Sequence, residues 1–186
     1  MTRTLFILLS LIILFAGCKK SSDKDAIQIE GFHLFDAMGN AMGTVGPADH
    51  DWELMELSSL STTEQALLNA PDTTNTLNTV LAAVSFHPYP NPVRDYSALA
   101  ISADDSIKFK LVITDKTGVI LKQFSQKIKG SRGFIIDLTD RSLFPLGKSL
   151  RYLYSFSAAS QANFKVGYGD IKICDSGGSN PATVCF

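Results

Sequence analysis

The chain has 186 residues, with 17 basic and 18 acidic side chains for a formal net charge of −1, and 45% of its residues are hydrophobic. That supports one folded domain, or a small domain plus an extension. Near-neutrality without a basic cluster excludes an electrostatic attraction to nucleic acid.

Met1-Thr2-Arg3 precedes an apolar run of thirteen residues from Leu5 to Gly17, followed by Cys18-Lys19-Lys20. A membrane-spanning helix needs about 20 residues, so a shorter run behind a positive charge reads as a signal peptide, residues 1–17. Phe15-Ala16-Gly17-Cys18 resembles the lipobox of bacterial lipoproteins. The resemblance implies cleavage before Cys18, which leaves 169 of the 186 residues, and lipidation of Cys18 as a membrane anchor. A plain secretory signal with an incidental Cys18 is the alternative. Several acyl chains hold a protein stably, at about 0.8 kcal/mol per buried methylene. Lys19 stands where many inner-membrane lipoproteins have a retaining aspartate, which by the same resemblance implies the outer membrane, on either face. Residues 18–26, with Ser21-Ser22-Asp23-Lys24-Asp25, read as a polar tether.

Residues 27–79 read as a hairpin, a short helix and a loop. Strands at Ile27–Asp36 and Ala41–Val45 flank a turn at Ala37-Met38-Gly39-Asn40. Asp115-Lys116-Thr117-Gly118 has the same turn chemistry in a second hairpin, Val112 to Lys122: Asp bonds its own following backbone and Gly accepts positive φ. Asp49-His50-Asp51-Trp52-Glu53 has metal-ligand types, but alternation of faces lets only two or three converge. The preferred reading is a solvated loop with Trp52 tucked onto the sandwich. Ser61-Thr62-Thr63-Glu64 is a capping-box pattern that starts a helix ending before Pro71. Residues 72–79 read as loop, and Val80–Phe86 as a strand.

Residues 80–186 read as the main domain. Prolines at 88, 90 and 92 remove donors from one side of an extended segment, so it pairs on one flank only, as an edge strand does. Each residue before a proline is driven toward extended conformations, so the stretch is expected to be straight; a proline-rich linker is the alternative. Tyr89-Pro90-Asn91-Pro92-Val93, then Arg94-Asp95, then a strand ending in Ile113-Thr114-Asp115-Lys116-Thr117-Gly118, resembles the C-terminal sorting domain of proteins exported by the bacterial type IX (Por) secretion system. The similarity covers about Ser85 to Cys174. It implies an immunoglobulin-like β-sandwich, with Tyr89, Pro90, Asn91 and Pro92 as the sorting motif.

Period-two patterns follow. Phe109, Leu111 and Ile113, then Phe134, Ile136 and Leu138, then Leu150, Tyr152, Tyr154 and Phe156 each give a strand one apolar face. Asp104-Asp105 reads as a turn between strands. The expectation is an all-β sandwich of about seven strands, with the N-terminal hairpin and one short helix beside it. Gly167-Tyr168-Gly169-Asp170 marks a bulge or a close backbone approach. Tyr152, Tyr154 and Tyr168 suit core packing, or less well a sugar-binding face.

Cys174 and Cys185 are expected to form a disulfide in an oxidising compartment, worth roughly 3 kcal/mol in the chain-entropy account. Two cysteines cannot supply the four ligands of a structural zinc site. No nucleophile elbow, zinc-protease motif, phosphate loop or calcium loop occurs in the sequence, and His33, His50 and His87 are scattered. No enzyme activity or cofactor is expected. The reading is a membrane-anchored protein that presents a β-sandwich to a protein or glycan partner, with a type IX sorting role as the alternative and carbohydrate binding as a weaker one.

Overall fold

The computed structural model describes residues 27–68, 85–158 and 161–175. The signal peptide, the tether with Cys18, the loop at 72–79, the expected strand start at Val80 and Cys185 lie outside the described residues. The all-β expectation holds. Strands β1 (Phe32–Phe35) and β2 (Ala41–Val45) pair antiparallel; one helix, α1 (Thr62–Leu68), follows a 3-10 turn at Leu57–Ser59. The remaining strands β3 (Ser85–Tyr89), β4 (Tyr96–Thr114), β5 (Ile120–Asp137), β6 (Ser149–Ala158) and β7 (Gln161–Lys172) form one antiparallel sheet in the order β3-β4-β6-β7, with β5 on the other edge of β4.

The turn chemistry explains both hairpins. The Asp36 carboxylate accepts the N–H groups of Met38 and Asn40 at 2.8 Å, and Gly39 takes φ +84°. The Asp115 carboxylate accepts the N–H of Thr117 at 2.9 Å and of Val119 at 3.0 Å, with Gly118 at φ +83°. In α1, the Ser61 hydroxyl and Glu64 cap each other reciprocally: Ser61 N–H donates to Glu64 Oε2 at 2.9 Å, and Glu64 N–H donates to Ser61 Oγ at 3.3 Å.

The sandwich is built from five continuous strands among the described residues, not about seven. Asp104-Asp105 does not turn the chain. Ala103 pairs Gly130 and Ile107 pairs Ile128, so Asp104, Asp105 and Ser106 of β4 oppose Lys129 alone. Such a bulge bends a strand without ending it. The first half of β4 lies between β3 and the end of β5, and the second half between β6 and the start of β5. The bent sheet folds over one core, with Leu99, Ile101 and Ala103 from the first half and Ile107, Phe109, Leu111 and Ile113 from the second. The Phe109 and Phe134 rings, from opposite halves, lie 5.7 Å apart.

As the prolines require, β3 is an edge strand that among the described residues pairs only with β4, with Pro88 opposite Leu99. It is not continued as a straight segment. β3 stops at Tyr89, the Tyr89–Pro90 and Asn91–Pro92 peptides are cis, and Asn91 pairs with Phe35 of β1.

Residues 27–68 cover the back of the sheet, which the strand pattern had left facing water. Leu60 and Leu68 pack on Val112, Leu153 and Val166. Both faces of β6 are therefore buried from Leu150 to Phe156. Tyr152 and Tyr154 are completely buried and form no sugar platform. The Tyr154 hydroxyl donates to the Glu53 carbonyl at 2.7 Å.

Candidate functional site

The densest polar constellation lies where the N-terminal cover meets β6 and β7. Arg151, which the alternation assigned to the outer face of β6, is only 6% exposed. Its Nε donates to Asp170 Oδ1 and one Nη to Asp170 Oδ2, both at 2.7 Å. The other Nη donates to Glu64 of α1 at 2.5 Å, and the Gln28 carbonyl accepts a further bond at 2.7 Å. The guanidinium also lies 4.0 Å from the centre of the Tyr168 ring. A planar fork with five donors serves all these partners at once, which an ammonium could not.

Asp51 and Asn91 extend the cluster. Asp51 accepts the N–H of Asp170 at 2.7 Å and of His33 at 2.8 Å, with the His33 ring nitrogen at 3.4 Å. Asn91 is fully buried; its amide donates to the carbonyls of His33 at 2.7 Å and Asp170 at 2.8 Å, and its oxygen accepts the Lys172 N–H at 3.1 Å. The Asn91 backbone exchanges two further bonds with Phe35. One side chain from the proline motif thus joins β1 to β7.

The electrostatics follow from the count of charges: three carboxylates, Asp51, Glu64 and Asp170, surround one guanidinium. Burial pushes Asp51 up to about 7, against the hydrogen bonds from His33 and Asp170. Burial likewise raises Asp170 to about 6, opposed by Arg151. Desolvation works against the Arg151 charge, but the bonds and charges of Asp170 and Glu64 outweigh it and raise its pKa. One proton taken up by Asp51 halves the cluster's excess negative charge.

Trp52 closes the same region. It stacks on Tyr154 with centroids 6.1 Å apart and planes 6° apart, and meets Tyr152 edge-on at 5.8 Å. Gly169 lies directly beneath it: a Cβ there would stand 2.1 Å from the indole. A Cβ on Gly167 would stand 2.2 Å from the Glu53 carbonyl. The Gly-Tyr-Gly stretch is thus a close backbone approach that lets Asp51 bridge Tyr168 and Met55 bridge Val166. His50 and Trp52 hold positive φ values of 63° and 66°. Such non-glycine conformations cost of order 1 kcal/mol each, offset here by the stacking and the Asp51 bonds.

The metal-ligand candidates of this loop diverge. Asp51 turns inward, while His50 pairs with Glu53 at 2.9 Å on the surface. No group of three His, Cys, Asp or Glu among the described residues is arranged to hold a metal ion. A cleft of about 280 Å³ opens over the cluster between Pro47, His50 and Tyr168. Of its charged lining, Arg151 is bonded to Asp170 and Asp51 to the Asp170 N–H, and Glu30 and Asp49 line the rest. The arrangement clamps three segments of chain together.

Of the motif residues, Tyr89 and Pro90 are half-buried, while Asn91 and Pro92 are buried. Cys174 is buried where its N–H donates to the Val93 carbonyl at 2.7 Å. Among the described residues no helix is long and apolar enough to cross a membrane. No protein-family model matches this chain, and no curated protein sequence matches it.

Proposed function

We infer that the chain is a non-catalytic outer-membrane lipoprotein: residues 1–17 are removed, Cys18 is acylated, residues 18–26 are a tether, and the sandwich faces a protein or glycan partner. The observation that carries this is Phe15-Ala16-Gly17-Cys18 behind a thirteen-residue apolar run, nine residues before the buried Ile27. The absence of catalysis in this reading is supported by where the ionic groups go: Arg151, Asp170, Glu64 and Asp51 are bonded to each other and to backbone. A Cys174–Cys185 disulfide belongs to the same reading, since Cys174 lies at the buried end of the sheet. Fractionation tests the anchor. The wild type is expected in membranes and a Cys18→Ala variant outside them; equal solubility of both would refute it.

A second reading, a type IX sorting domain, rests on Tyr89-Pro90-Asn91-Pro92 and an immunoglobulin-like sandwich behind it. Burial of Asn91 gives the motif an architectural part in that role. Because residues 27–68 cover Leu153 and Val166, a reporter fusion needs residues 27–186 and not the sandwich alone. Export that depends on the secretion pore supports sorting, and a reporter left in the periplasm counts against it.

A further inference from the structure

We propose that the end of the sandwich where Ile27 enters is a lipid-docking surface, which lays the folded body against the membrane that holds its anchor. The inference rests on the reading of Cys18 as acylated. The nine residues from Cys18 to Ile27 reach at most about 30 Å even when fully extended. Ile27 is itself fixed: its side chain is 5% exposed, and its N–H donates to the Lys116 carbonyl at 3.0 Å. The tether therefore keeps the β4–β5 turn near the bilayer.

That end of the molecule has the chemistry of a membrane interface. An open cleft of about 540 Å³ lies between Ile27, Lys116, Leu143 and Lys148. Around it, Leu143 and Leu146 are each 42% exposed, Val119 55% and Ile120 41%. Lys116 and Lys148 are exposed beside them. Asp115 and Asp140 accept hydrogen bonds within their own turns, which keeps them anionic, and Lys116 and Lys148 offset these two charges at the surface. Exposed apolar side chains with charged groups of both signs around them match the acyl boundary and the zwitterionic headgroup level of a bilayer surface. Lys127 and Lys129 lie beside the bulge, midway along β5, five and seven residues beyond Lys122 and so about 16–23 Å further along the strand.

Lysine footprinting by mass spectrometry tests this on the acylated full chain, in phosphatidylethanolamine–phosphatidylglycerol vesicles against detergent micelles. Labelling of Lys116 and Lys148 is expected to fall several-fold in vesicles, with Lys127 and Lys129 unchanged. A Leu143→Glu/Leu146→Glu variant with unaltered near-ultraviolet circular dichroism is expected to recover the labelling. Equal labelling of all four lysines on a chain whose spectrum shows acylated Cys18 overturns the docking surface and leaves the anchor standing. An unmodified Cys18 overturns both. Protection on cells but not in vesicles would mean a protein occupant and overturn the lipid assignment.

Discussion

Asn91→Ala removes the side chain that joins the proline motif, β1 and β7. Three partners lose a bond: the His33 and Asp170 carbonyls and the Lys172 N–H. An unsatisfied buried group costs about 1–3 kcal/mol, at the low end where water can enter. The His33 and Lys172 positions are half-buried, but the Asp170 carbonyl is at a buried one, so the expected loss is about 4 kcal/mol in total. For a domain of this size that lowers Tm by roughly 8–16 °C. Asn91→Asp is the sharper control, because it sets a carboxylate oxygen against two carbonyls where the amide donated. At pH 8 it is expected to be at least as destabilising as the alanine, and to recover in part when acidification restores a donor. Urea titration followed by Trp52, the one tryptophan in the chain, reads both variants. A loss below about 1 kcal/mol for alanine, or wild-type stability for aspartate, would refute this account of Asn91.

Gly169→Ala places a methyl inside the Trp52 ring, so the loop must lift; a red-shifted Trp52 emission and a loss of a few kcal/mol are expected, and an unchanged spectrum would contradict the packing. Arg151→Met strands Asp170 and Glu64 without their cation and is expected to cost about 3–5 kcal/mol in a urea titration, with Arg151→Lys recovering little of it. Stability should also fall as pH rises from about 4 to 7. Folded Asp51 and Asp170 keep protons up to about 7 and about 6, while the unfolded chain releases them near 3.8, so the folded state binds more protons in that window. An Asp51→Asn variant should flatten the upper part of that slope; an identical slope would remove Asp51 as its source.

Local chemistry was legible in the sequence wherever a few neighbouring residues decide it. The two Asp-x-x-Gly turns and the Ser61–Glu64 box are short-range hydrogen-bond patterns, and the edge position of β3 follows from missing proline donors. Strand number was not legible. Asp104-Asp105 has the composition of a turn, and only pairing with β5 decides that the chain bulges there instead.

The clamp was hidden for another reason. Glu64 and Arg151 are 87 positions apart, and Asp51 and Asp170 are 119 apart. Alternation along β6 gave Arg151 a solvent-facing place, because nothing within the strand announces that residues 27–68 return to cover it. The one local signal was Gly167 and Gly169, whose spacing marks a close approach without naming what approaches. Asn91 carried no separate signal inside a motif dominated by its prolines.

The anchor is the claim on which the cellular reading turns, and the intact mass of the protein extracted from membranes tests it most directly. A chain beginning at Cys18 with the added mass of its acyl groups is the predicted result. A chain retaining residues 1–17, or one beginning at an unmodified Cys18, would contradict it.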